Sequence, residues 1–224
     1  MRFAREGRPF IAAAAGFAGL AWGYGYLVGL PLLSVCLATL LTLNTAFVGW
    51  FFRDPQRTIP QDDRLVVSPG DGKILDIIEV DEPDVFEGPA RRITIFLSVF
   101  NVHVQRSPVA GQVIHRDYHS GGYAVAWHAK ASDENERASI GIMTPEGALK
   151  VTQIAGLIAR RIVTYPNEGD QLARGQHIGL IRFGSRVDLF IPRGWDVRCA
   201  PGDVVTGGET VMAIRTAETE TEAA

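Results

Sequence analysis

From Phe10 to Phe52 no side chain carries a charge. One membrane-spanning helix needs about 20 apolar residues, so this run is long enough for two. Gly29-Leu30-Pro31 divides it near the middle, and the pattern predicts a helical hairpin. Gly19-xxx-Gly23 and Gly25-xxx-Gly29 are expected to let two helix backbones approach closely. Trp50, Phe51 and Phe52 are expected at the headgroup level. Arg2, Arg5 and Arg8 precede the run, and Arg53 and Arg57 follow it. Positive flanks tend to stay cytoplasmic. The expected location is therefore the cell (inner) membrane, with the rest of the chain facing the cytoplasm. A hairpin that dips into one leaflet, and a cleaved signal peptide, are the competing readings. The run is long for a signal peptide, and all three readings bring the chain to a membrane.

The composition changes at Arg53. Beyond Leu65 the chain reads as short β segments punctuated by Gly and Pro: Ile74 to Val80, Arg92 to Val104, Gln112 to His115, Ala138 to Met143, Val151 to Thr164, Ile178 to Phe190 and Val211 to Arg215. No long amphipathic helix is evident. Many short strands separated by turn signals predict a mainly β fold, a sandwich or barrel-sandwich hybrid, behind the apolar hairpin. An internal echo supports this. Ser68-Pro-Gly-Asp-Gly-Lys-Ile74 resembles Ser107-Pro-Val-Ala-Gly-Gln-Val113, and Glu168-Gly-Asp-Gln-Leu-Ala-Arg-Gly175 resembles Pro201-Gly-Asp-Val-Val-Thr-Gly-Gly208. Paired Gly-Asp turns of this kind are the style of lipoyl- and biotinyl-carrier sandwiches, although the only lysines, Lys73, Lys130 and Lys150, do not sit at a lipoyl-type hairpin tip. The expected organisation is a hairpin with basic flanks over 1–57, a β-rich domain over 58–215, and a small polar tail over 216–224 that reads as disordered.

The 224 residues carry a formal net charge of -3, which argues against a nucleic-acid binder with a basic stripe. Cys36 falls in the apolar run, leaving Cys199 as the single thiol of the remainder. No disulfide framework is supported, and a reducing compartment fits. His115, His119, His128 and His177 have no metal-ligand spacing, and two cysteines cannot complete a site, so no metal is expected.

Three features carry candidate chemistry. If Ile93 to Gln105 is one strand, Asn101 and His103 share a face, and a polar pair ending an apolar strand needs partners. His103 is then a candidate general acid or base, against the reading of a satisfied structural histidine. Asp71, in Pro69-Gly-Asp-Gly72, is a turn residue or a carboxylate that orients His103. Gly184-Ser185 interrupts two strand-like runs, where the bland reading is a bulge or turn. The chemical reading is a strained peptide bond beside a hydroxyl, as a self-cleaving precursor requires.

Several stretches, in order along the chain, together resemble phosphatidylserine decarboxylase of the short proteobacterial or archaeal type. They are Phe51-Phe-Arg-Asp-Pro55, Ser68-Pro-Gly-Asp-Gly72, Phe100-Asn-Val-His-Val104 with Ser107-Pro108, Asn135-Glu-Arg137, Gln153-Ile-Ala-Gly156 and Phe183-Gly-Ser185. Longer members carry Leu-Gly-Ser-Thr where this chain has Phe183-Gly-Ser-Arg186, and a histidine where Asn101 stands. That difference leaves His103 as the sole candidate on its segment.

The resemblance implies self-cleavage between Gly184 and Ser185, giving a β chain 1–184 and an α chain 185–224 that stay together as a heterodimer from one precursor. A higher oligomer is left open. It implies a covalent pyruvoyl cofactor made from Ser185, without pyridoxal phosphate or metal. That group would take the amine of phosphatidylserine as a Schiff base, with His103 and Asp71 as catalytic partners. Decarboxylation would yield phosphatidylethanolamine and CO2. Asn101, Arg106 and Arg137 are the candidate substrate contacts, the arginines for the phosphodiester. Two other classes compete. One is a membrane-tethered carrier or adaptor module that binds without self-cleavage, although adaptors of that kind carry a long coiled coil and no heptad run is present. The other is a decarboxylase of a soluble amino acid, which gains nothing from a membrane hairpin.

Overall fold

The computed structural model describes residues 2–82, 84–86, 88–122, 135–156, 161–182 and 185–216. The expected disordered tail beyond Thr216, together with Gly184, His128 and Lys130, lies outside the described residues. The chain divides into two compact units, Met1–Gln56 and Arg57–Ala224.

The first unit is the hairpin. Helix α1 (Arg8–Leu27) has Pro9 in its first turn, where a missing N–H costs nothing, and α2 (Leu32–Phe51) starts after Pro31. Gly29 and Leu30, with φ of 77° and 55°, reverse the chain between them. Short strands β1 (Arg2–Phe3) and β2 (Arg53–Asp54) pair antiparallel and bring the two ends together. Both helices are long and apolar enough to cross a membrane. Phe17, Leu20, Leu27, Leu32 and Leu33 are all exposed, as on a surface suited to lipid rather than water. Of the four glycines expected at the helix contact only Gly25 lies there, and Gly29 sits in the link between the helices with nothing within 4 Å of a Cβ. A Cβ at Gly19 or Gly23 would meet nothing within 4 Å, so that pair faces open space, whereas one at Gly25 would come 3.2 Å from Ser34 Oγ. Small residues do bury at the helix contact, but they are Ala18, Gly25, Ser34 and Ala38. Trp22 Nε1 donates to Thr42 Oγ1 across it at 3.1 Å. Phe51 and Phe52 are buried, leaving Trp50 as the exposed aromatic of the expected trio.

The second unit is almost entirely β. Its strands are β3 (Leu65–Val67), β4 (Gly72–Asp81), β5 (Pro89–Leu97), β6 (Val104–Arg106), β7 (Gly111–His119), β8 (Arg137–Thr144), β9 (Gly147–Ala155), β10 (Ile162–Thr164), β11 (Gln171–Leu172), β12 (His177–Ile181), β13 (Ser185–Pro192), β14 (Asp196–Val197), β15 (Val204–Val205) and β16 (Val211–Ile214). An eight-stranded antiparallel sheet, ordered β11-β7-β8-β9-β13-β5-β4-β15, curls into a half-barrel. Three-stranded sheets β10-β12-β6 and β14-β16-β3 complete it. Ile93, Ile95, Leu97, Ile140, Ile142, Leu149, Val151, Val187 and Leu189 alternate toward the core along the central strands.

The internal echo is a structural repeat. Ser68 Oγ donates to Gly70 O and Ser107 Oγ to Val109 O, each at 2.7 Å. Ser68 O accepts from Gly208 N, and Ser107 O from Gly175 N, each at 2.8 Å. Ile74 N donates to Asp203 O and Val113 N to Asp170 O, each at 2.9 Å. Gly72 and Gly111 play the same part: a Cβ on either would lie 2.3 Å from a backbone oxygen of the neighbouring strand, Phe96 O or Met143 O. The order of the large sheet therefore reads the same from both edges, and its centre falls between β9 and β13.

Three predicted strands divide. The Val151 to Thr164 run falls into β9 and β10, which belong to different sheets. The Arg92 to Val104 run stops at Leu97, turns through Ser98 to Asn101, and resumes at Val104. Asn101 makes that turn. Its side-chain oxygen accepts from Ser98 N at 2.9 Å and from Ser98 Oγ at 2.8 Å. Asn101 and His103 therefore do not share a strand face as the alternation predicts. The Ile178 to Phe190 run is two strands in different sheets, β12 and β13, rather than one bulged strand.

Candidate active site

β13 is central in the large sheet, and Ser185 is its first residue, paired with Leu97 on one side and Ala155 on the other. Ser185 is wholly buried. Its Oγ has no hydrogen-bond partner among the described residues, an uncommon state for a buried hydroxyl. The chain reaches Ser185 from β12, whose Ile181 is tied to a different sheet, pairing with Ile162 and donating from its N to His103 O at 3.4 Å. Four peptide units separate Ile181 from Ser185, so their Cα atoms are at most about 14 Å apart. The end of β12, the middle strand of its sheet and bonded to His103 O, and the head of β13 therefore lie within that distance of each other.

His103 is wholly buried at the entrance to β6. Its Nδ1 lies 3.0 Å from Asn101 O. A carbonyl only accepts, so Nδ1 donates, and in the neutral ring the lone pair sits on Nε2. The turn residue Asn101 therefore sets the tautomer of His103 through its backbone, while its side chain is spent on Ser98.

The Asp71 loop is brought to the same region. Arg106 N donates to Pro69 O at 2.9 Å, laying the loop along β6. A Cβ on Gly70 would touch Leu97 and Val187, the residues around the head of β13. Both oxygens of the Asp71 carboxylate accept from Arg57 Nη2 at 2.8 Å, and Oδ1 also accepts from Gly207 N at 2.8 Å. Asp71 thereby fastens the Ser68–Gly72 loop to Arg57 and to the loop before Gly208. Arg106 is nearly buried and donates to Gly175 O at 3.1 Å, in the repeat-related turn.

Arg137 is placed differently. On β8 the even residues Ala138, Ile140 and Ile142 face the core, so the odd Arg137 projects from the opposite face to Ser185. There it lines a polar recess with Arg92, Lys150, Glu82 and Asp188. The same face carries Arg186, whose guanidinium grips Asp188 at 2.6 and 2.9 Å and Thr94 Oγ1 at 3.2 Å. Burial pushes the Asp188 carboxyl above its ordinary range, and Arg186 pulls it back.

The structure also brings together buried polar residues to which the sequence assigns no role. Gln105 and Gln153 are buried and joined at 2.9 Å, and Gln153 also accepts from Thr164 Oγ1 at 2.7 Å. Glu136 is buried at the mouth of β8. A signal for Glu136 does exist in the sequence, because it is in phase with the buried apolar positions 138, 140 and 142. Among the described residues no cluster of three metal-ligating side chains is found.

The chain that carries this buried serine and this histidine of fixed tautomer is similar in sequence to known proteins. The family model for phosphatidylserine decarboxylase matches residues 44–213. Over 210 residues the chain is 47% identical to a phosphatidylserine decarboxylase proenzyme of Symbiobacterium thermophilum, covering 93% of this chain and 94% of the relative. It is 46% identical over 179 residues to the proenzyme of Salinibacter ruber, 79% of each chain. With that of Carboxydothermus hydrogenoformans the identity is 44% over 198 residues, 85% of this chain and 93% of the relative. Matches of this identity and coverage mean that the chain belongs to the phosphatidylserine decarboxylase family of carboxy-lyases.

Proposed function

We propose that the chain is a precursor that cuts itself between Gly184 and Ser185 and then converts phosphatidylserine to phosphatidylethanolamine and CO2. The observation that carries this reading is the buried Ser185 hydroxyl, unmet by any described residue at the head of a central strand. A serine retained for structure would spend that hydroxyl on a nearby carbonyl. His103 Nε2 is the base that takes the Oγ proton. Oγ then attacks the Gly184 carbonyl carbon, the bond from that carbon to the Ser185 nitrogen breaks, and an ester replaces the amide. Loss of the Ser185 α-proton expels the Gly184 carboxylate and leaves a dehydroalanine at residue 185. Tautomerisation and addition of water release ammonia and leave a pyruvoyl group. Asp71 is a positioning residue in this scheme, holding the loop that packs on Leu97 and Val187.

The products are chains 1–184 and 185–224. The smaller keeps its place because β13 pairs on both sides, Ser185–Pro192 with Ala90–Leu97 and Ser185–Phe190 with Lys150–Ala155. A pyruvoyl group supplies an electron-withdrawing carbonyl for the electrons left when CO2 departs. His103 Nε2 returns a proton to the α-carbon. The apolar helices hold the chain at the bilayer that contains the lipid, which raises its effective concentration. The basic flanks put the β unit on the cytoplasmic side.

Denaturing electrophoresis and intact mass test the proposal. Purified protein should give two chains divided before residue 185, the smaller blocked to Edman chemistry. Ser185→Ala should stay a single chain without activity. An active wild-type protein that remains one full-length chain overturns the proposal and leaves a binding module as the better reading.

A further inference from the structure

The acids around Ser185 differ in their partners. Asp71 has Arg57, and Asp188 has Arg186. Glu136 is only 4% exposed, and its carboxyl meets no cation among the described residues. Oε1 accepts from Tyr118 Oη at 3.1 Å and from Ile162 N at 3.4 Å. Oε2 is buried with no hydrogen-bond partner among the described residues. A buried carboxylate oxygen left in that state is costly unless something arrives to meet it.

The sheet register says what it faces. Ser185 lies opposite Ala155. The β8–β9 pairing reaches Arg137 opposite Ile154 and continues through Ala155 N, which donates to Glu136 O at 2.9 Å. Paired residues on an antiparallel ladder point to one face, so Glu136, Ala155 and Ser185 project to the core side in a row. Strands lie about 4.8 Å apart, which puts the Glu136 and Ser185 backbones about 10 Å from each other. Ala155, the residue between them on the ladder, carries only a methyl. Asn135 Nδ2 fixes that strand end by donating to Ala155 O at 2.7 Å. Residue 185 thus lies two strands away, on the same face, from an unmet carboxylate oxygen whose twin is held in place by Tyr118 and Ile162.

We infer that Glu136 Oε2 receives the α-ammonium of the lipid's amino-acid headgroup, selecting lipids that carry a primary amine and setting the nitrogen against residue 185. This rests on the function proposed above and names the amine subsite of that site. An ammonium brings the charge and the donors that Oε2 lacks.

Two measurements separate this inference from the parent reading. In the first, full-length Ser185→Ala protein, which has no reactive carbonyl, is titrated in detergent micelles with lyso-phosphatidylserine. The comparison ligand is its desamino analogue, in which 3-hydroxypropionate replaces serine. The amine-bearing lipid should bind at least tenfold tighter, and Ser185→Ala/Glu136→Gln should lose that preference. In the second, processed Glu136→Gln enzyme should raise the KM for phosphatidylserine at least tenfold, with a smaller change in kcat. Equal binding of the two lipids by Ser185→Ala, or a preference that survives Glu136→Gln, overturns the inference even when wild-type protein is cut and active. If Glu136→Gln does not fold, Glu136→Asp replaces it. It should weaken the preference at least threefold, and an unchanged preference again overturns the assignment. Failure of the wild-type chain to cut would count against the parent reading alone, because the binding measurement needs no processing.

Discussion

Arg186 follows the serine directly, and replacing it isolates what the far face of β13 contributes to the site. The Arg186 and Asp188 side chains are 2% and 1% exposed. The guanidinium is engaged by both carboxylate oxygens and by Thr94 Oγ1, itself bonded to Asp76 at 2.7 Å. Arg186→Met keeps most of the buried volume but strands the Asp188 charge. Breaking a buried pair from one side costs about 3–5 kcal/mol, against about 5–15 kcal/mol for a typical domain. For a unit of this size that corresponds to a fall of about 6–20 °C in the unfolding midpoint. Arg186→Met/Asp188→Leu removes the stranded charge and should recover most of the loss. The pH dependence has a definite sign. In the single variant, burial raises the Asp188 pKa with only the weaker effect of the Arg92 charge left to oppose it, so the folded state holds a proton that the unfolded chain gives up. Stability is then greatest below the ordinary carboxylate value and is lost as pH rises through the raised one. The deficit relative to wild type should therefore shrink between pH 8 and pH 5. Thermal unfolding of the full-length chain in detergent, followed by tryptophan fluorescence at both pH values, measures this. A midpoint within 2 °C of wild type, or a double variant no better than the single, refutes the reasoning.

Three further outcomes are expected. Gly72→Ala and Gly111→Ala each drive a Cβ onto a backbone oxygen at 2.3 Å, so each should cost about 1–3 kcal/mol by overpacking. Denaturation midpoints that differ widely between the two would contradict the structural repeat. Asp71→Asn keeps an acceptor for Gly207 N but releases Arg57, and the loosened loop should slow self-cleavage by about 10–100-fold. Time-resolved electrophoresis showing wild-type cleavage would remove Asp71 from the machinery. Burial, with a smaller effect from the Asp203 charge, pushes the Cys199 thiol up to about 11. Alkylation of the 185–224 chain at pH 8, followed by mass, should run about 100-fold slower than for an ordinary thiol; a comparable rate would show that Cys199 is not shielded.

The architecture was legible wherever the signal was local and periodic. An uncharged run broken by Gly-Leu-Pro predicts the hairpin, and the doubled Ser-Pro and Gly-Asp turns mark the repeat. Alternation failed at Asn101 because a side-chain hydrogen bond to Ser98 ends the strand, and periodicity does not register hydrogen bonds. It also failed for Gly19 and Gly23, since small-residue spacing does not say which helix face meets its neighbour. At the site, Ser185 and His103 stood out as polar residues at the ends of apolar runs. Glu136 did not, because in a single strand it reads as the charged start of an apolar segment. Only the β8–β9–β13 register reveals that its phase points it toward Ser185.

The repeat also explains why the fold can survive a break at this bond. In one half, β8 and β9 join through a tight hairpin, with Thr144 opposite Gly147, Gly147 at φ 128°, and Thr144 Oγ1 donating to Gly147 O at 2.8 Å. In the other half the corresponding strands are β5 and β13, and Leu97 opposite Ser185 occupies the corresponding corner. No hairpin closes there. β5 leaves through the Asn101 turn toward β6, and β13 is entered from β12 in another sheet. Cutting at the Thr144–Gly147 corner would open a hairpin whose closure keeps its strands in register. Cutting before Ser185 severs a connection between two sheets rather than a hairpin, and β13 keeps both neighbours. The position that holds the serine is thus a corner where this sheet can lose a peptide bond without opening a hairpin.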